Sequence, residues 1–147
     1  MAGKSDAFEY DFLRMTFNGL AITNICATAG TTVLWAALCT ADPGDAGSTA
    51  AEGGYAQYAR VATQRSTAGW AVTSGTSAAV ATVSPVAAIS APQNTSTSTG
   101  TFTHASIYPS SSSVGSAALY SGAISPTINF SQNVTPSLTT GSSITED

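Results

Sequence analysis

The stretch "TTVLWAALC", Thr31 to Cys39, decides the fold. Its residues are apolar on both alternating sets, with Val33, Trp35, Ala37 and Cys39 on one side and Leu34, Ala36 and Leu38 on the other. Period two without a polar face is the pattern of a strand covered on both sides. A short buried helix gives a similar run, but the β-branched start and the "PG" turn that follows, Pro43 and Gly44, favour the strand. If a sheet shields one face, a helix or a neighbouring subunit is expected to shield the other.

Around this strand the composition points the same way. The chain has 147 residues, 43% of them hydrophobic and only 8% charged, against about 25% charged in ordinary domains. Ser, Thr, Ala and Gly together make up more than half of it, while Glu, Lys and Gln, which favour helices, are scarce. Strand-like runs recur at "YARVATQ" (58–64), "GWAVT" (69–73), "AAVATV" (78–83), "TFTHASIY" (101–108), "ALYSGAIS" (118–125), "TINF" (127–130) and "SLTT" (137–140). Short strands separated by Gly, Pro, Asn and Ser indicate an all-β fold, an antiparallel β-sandwich of jelly-roll-like form. In "TFTHASIY" alternation predicts Phe102, His104, Ser106 and Tyr108 on one face.

The N-terminal segment is the exception. Phe8, Phe12 and Met15 form an apolar stripe at helical spacing, Asp6 and Glu9 resemble a capping box, and "NG" at 18–19 supplies a stop. These signals predict a helix over about 6–17, ahead of a sandwich over about 31–147, in a single domain. The Ser/Thr-rich stretches "APQNTSTSTGT" and "PSSSSVGS" lie between strands and read as exposed loops.

Charge and chemistry narrow the function. Four Lys and Arg against eight Asp and Glu cannot build a patch that neutralises several phosphates, so nucleic acid is not an expected partner. No apolar run approaches the length of a membrane span, and no hydrophobic leader follows the first residues, so the chain reads as soluble and unprocessed. Cys26 and Cys39 lack zinc-site spacing and are expected as buried or partly buried free thiols, with a disulfide as the alternative.

The one histidine, His104, has no carboxylate near it in sequence, and no nucleophile elbow is present. No catalytic residue and no cofactor is therefore assigned. Asp42, Asp45 and Glu52 gather near "TADPGDAG" (40–47) and raise the question of calcium, but the alternating acids of an EF-hand are missing. The mechanical reading is a turn, with Pro43 setting one backbone angle, Gly44 supplying a positive one and Asp42 bonding forward. Arg60 and Arg65, the only cations after Arg14, are each expected to find a carboxylate, and Glu52 is one candidate.

Taken in order, "KSDAFEYDFLRMTFNG", "LWAALCTADPGDAG", "GYAQYARV", "FTHASIY", "ALYSGAIS" and the acidic "ITED" terminus resemble a family of small tailed-bacteriophage virion structural proteins, whose members are often labelled tail fibre proteins. The resemblance implies a non-enzymatic virion protein, made in the host cytoplasm, that assembles with other virion proteins. No heptads, β-helix repeats or shaft are present, which points to a capsid decoration or cement protein on the capsid surface, bridging major capsid subunits. A tail or tail-fibre-associated protein that touches the host surface is the alternative, and a lectin-like module a third. A homo-oligomer, dimer or trimer, is expected. The candidate contact residues are Phe8, Phe12, Met15, Trp35, Tyr55, Tyr58, Arg60, Trp70 and Tyr108, each of which also suits a core, Trp35 above all.

Overall fold

A computed structural model describes residues 3–4, 8, 33–44, 51–74, 81–112 and 117–146. Among them ten strands occur: β1 (Gly3–Lys4), β2 (Val33–Cys39), β3 (Val61–Gln64), β4 (Trp70–Ser74), β5 (Ala81–Pro85), β6 (Ile89–Ser90), β7 (Gly100–Tyr108), β8 (Tyr120–Phe130), β9 (Ser137–Leu138) and β10 (Ile144–Glu146). They form a five-stranded sheet in the order β1-β8-β7-β2-β3, a three-stranded sheet β10-β5-β4 and a pair β6-β9. Every pairing is antiparallel. The all-β, antiparallel class expected from the pattern is the class observed.

The stretch 33–39 is a strand, and it is interior to the sheet, paired with β3 from Val33 to Ala36 and with β7 from Trp35 to Cys39. Ala36 and Leu38 face a core built with Ile89, Phe102, Ile107 and Leu138, while Ala37 faces a second cluster with Tyr108 and Ala118, joined by Trp35. Both alternating sets are thus buried, as an all-apolar strand requires. The first face is covered by the small sheets, through Ile89 of β6, Leu138 of β9 and Trp70 of β4. On the second, Ala37 packs with Ala118 and with Tyr108 of the neighbouring strand, whose ring lies under the Arg60 guanidinium. The helix expected over 6–17, with Phe12 and Met15, lies outside the described residues; only Phe8 of it is described, with its ring 5.5 Å from that of Tyr120.

One expectation is corrected. Phe102 does not share a face with Ser106 and Tyr108. It packs with Ile107 and Ala105, whereas Tyr108 belongs to the opposite cluster and Ser106 reaches Cys39. The change falls at a register shift. Phe102 pairs with Ile128 but His104 pairs with Ala123, so four residues of β8, from Ile124 to Thr127, stand opposite Thr103 alone. At this irregularity β7 itself departs from the two-residue period, while Tyr120, Ile124, Ile128 and Phe130 keep β8 in step on the core side. The two runs expected as separate strands, 118–125 and 127–130, fall largely within one strand, β8.

Four rings knit the first core. Phe102 and Phe130 lie 4.7 Å apart between centroids, and Tyr55 lies 5.5 Å from Phe130 and 5.8 Å from Tyr58. The "EGGY" glycines make room for them. A Cβ at Gly54 would stand 2.5 Å from Phe130, and Gly53, at φ +80°, would carry one 2.9 Å from Tyr58.

Candidate functional site

β3 stops pairing at Ala36, so the outer edge of β2 beyond it needs other partners for its backbone groups. The segment 51–58 supplies them. Gly53 N–H donates to Leu38 O at 3.1 Å, and Thr40 N–H donates to Ala51 O at 2.8 Å. Leu38 N–H donates to the Tyr58 phenol oxygen at 2.6 Å. This arrangement sets Glu52 beside Cys39, where the two form an isolated bridge.

Glu52 meets Arg60 there. Arg60 Nε lies 2.9 and 3.1 Å from the two Glu52 oxygens, and NH2 lies 2.8 Å from Oε2. Its NH1 donates to Ser110 O and Ser112 O, both at 2.8 Å. The guanidinium carbon stands 3.5 Å from the centre of the Tyr108 ring. With side-chain exposures of 2% and 8%, the pair is out of water. It persists because both Glu52 oxygens and the guanidinium fork are satisfied. Scarcity of charge predicted a carboxylate for Arg60, and Glu52 is that partner. Arg60 also fastens the start of the Ser-rich loop, a role no sequence signal carried.

Burial governs the neighbouring titratable groups. It raises the Cys39 thiol from 9.0 to about 11, outweighing the lowering contact with Ser106 Oγ 3.7 Å away. Cys39 is thus a protonated, free, buried thiol. Burial likewise pushes Tyr58 and Tyr108 up, and Tyr55, whose hydroxyl donates to Pro92 O at 2.6 Å.

The "TADPGDAG" loop is a turn where it is described. Asp42 Oδ1 accepts Gly44 N–H at 2.9 Å, and Gly44 has φ +65°. The three carboxylates do not converge: Asp42 closes its own turn, Glu52 holds Arg60, and Asp45 lies outside the described residues. Among the described residues no group of three His, Cys, Asp or Glu side chains could hold a metal. His104 Nε2 is 4.0 Å from Asp42, and its Nδ1 is 2.9 Å from Thr103 Oγ1. The Thr103 hydroxyl also lies 3.1 Å from Thr40 O, as donor to that carbonyl, and Ser106, further along the strand, is turned to Cys39.

Of the residues singled out for contacts, Tyr55, Arg60 and Tyr108 are buried within the chain and Tyr58 packs against the same core. Phe8 and Trp70 are half-buried. One exposed stretch among the described residues is uncharged and polar. Segments 89–94 and 133–138 run antiparallel, joined by Ala91 N–H to Pro136 O and Asn94 N–H to Val134 O. Asn94 is fully buried, accepts from Ser96 N and Ser96 Oγ and donates to Ser98 O. It pins the loop whose outward members include Gln93, Thr95, Thr97 and Thr99. Its Asn-Thr-Ser sequence is a structural pin and not a glycan acceptor, because the amide is enclosed.

A family model described as "Podophage GP4 fiber I protein gp80" matches residues 3–145. No curated protein matches the chain.

Proposed function

The chain belongs to this podophage fibre family and is a phage virion structural protein, and we propose that it serves in the tail, as a fibre or fibre-associated component. The observation that carries this reading is the extent of the match, which runs through nearly all of the chain and names a fibre. The lack of a shaft favoured capsid decoration on sequence grounds; the family favours the tail, so the capsid-cement reading gives way.

The work is non-covalent assembly without turnover. Rigid polar loops, held by Asn94 and by Arg60, present hydroxyls and amides, while the aromatic core keeps their scaffold fixed. Partners are other virion proteins, with further copies of the chain among them as a dimer or trimer. Phe8, Trp35, Tyr58 and Trp70, all half-buried, are the contact candidates among the described residues that retain surface, and in the sequence Phe12 and Met15 continue the apolar stripe that Phe8 begins. Tyr55 and Tyr58 belong to the core that Phe8 and Trp70 pack against, and Arg60 and Tyr108 lie on the other face of the sheet.

Labelling virions with antibody against the purified chain tests the assignment. Gold at the tail supports it, and gold spread over the head overturns it.

A further inference from the structure

We draw no further inference here: the strongest candidate, the apolar cleft of about 80 Å³ between the β7–β8 face and the β4–β5–β10 sheet, lined by Trp70, Ile89, Ile107, Tyr120, Ile124 and Leu138, carries nothing because nothing in the structure shows what covers it.

Discussion

Arg60 and Glu52 form an ion pair closed at 2.8 Å and almost wholly withdrawn from water. Through it the end of β2, the segment 51–60 and the start of the Ser-rich loop are tied to one guanidinium.

Removing one partner strands the other. Arg60→Leu is expected to cost about 3–5 kcal/mol in urea unfolding, because a carboxylate is left buried without its cation. Arg60→Lys keeps the charge but not the fork, so it should fall between wild type and Arg60→Leu while loosening residues 110–112. The double change Arg60→Leu with Glu52→Gln should cost less than the two single changes summed. A strictly additive cycle would mean that the pair is not coupled.

Tyr58 acts through its oxygen as well as its ring. Tyr58→Phe leaves the Leu38 N–H without the acceptor now 2.6 Å away, and a loss of about 1–3 kcal/mol is expected. Amide exchange at Leu38 should speed up more than at Ala36, which β3 still pairs. Equal protection at both positions in the variant would contradict the capping role.

Alkaline pH should weaken the fold in a defined window. The folded Cys39 holds its proton up to about 11 against 9.0 for the free group, so the folded state binds more protons between those values. Its contribution is complete below pH 9 and is lost as pH rises to about 11. Tyr55, Tyr58 and Tyr108, also raised, act in the same direction. Melting curves of Cys39→Ala should therefore show a shallower decline between pH 9 and 11 than wild type. A thiol reagent should label native Cys39 only after unfolding.

Two glycines separate space from backbone conformation. Gly54→Ala drives a Cβ to 2.5 Å from Phe130, and overpacking of this kind costs about 1–3 kcal/mol; Phe130→Leu should relieve part of it. Gly44→Ala meets nothing within 4 Å, and only its φ of +65° opposes it, so about 1 kcal/mol is expected. Thermal unfolding that ranks Gly44→Ala as the more damaging would reverse this reasoning.

What the sequence revealed, and what it concealed, follows from the range of each interaction. Val33 to Cys39 announced a doubly covered strand because burial acts on each residue in turn. Asp42, Pro43 and Gly44 announced a turn because its bonds close within three residues. Arg60 was legible for another reason, since a chain so poor in charge leaves few carboxylates to choose from. The face change in β7 was hidden because it falls where the pairing with β8 shifts register, a long-range match that a local period does not record. Likewise Tyr58 reaches Leu38 across twenty positions, and β1, β6 and β9, of two residues each, are too short to show a period. Asn94 is one more polar loop residue in the sequence, and its partner Val134 is forty positions away.

The assignment to the tail turns on stoichiometry. Quantitative mass spectrometry of purified virions, referenced to the major capsid protein, gives the copy number of the chain directly. A small multiple of three or six per particle is the expected result, and several hundred copies would return the protein to the capsid surface.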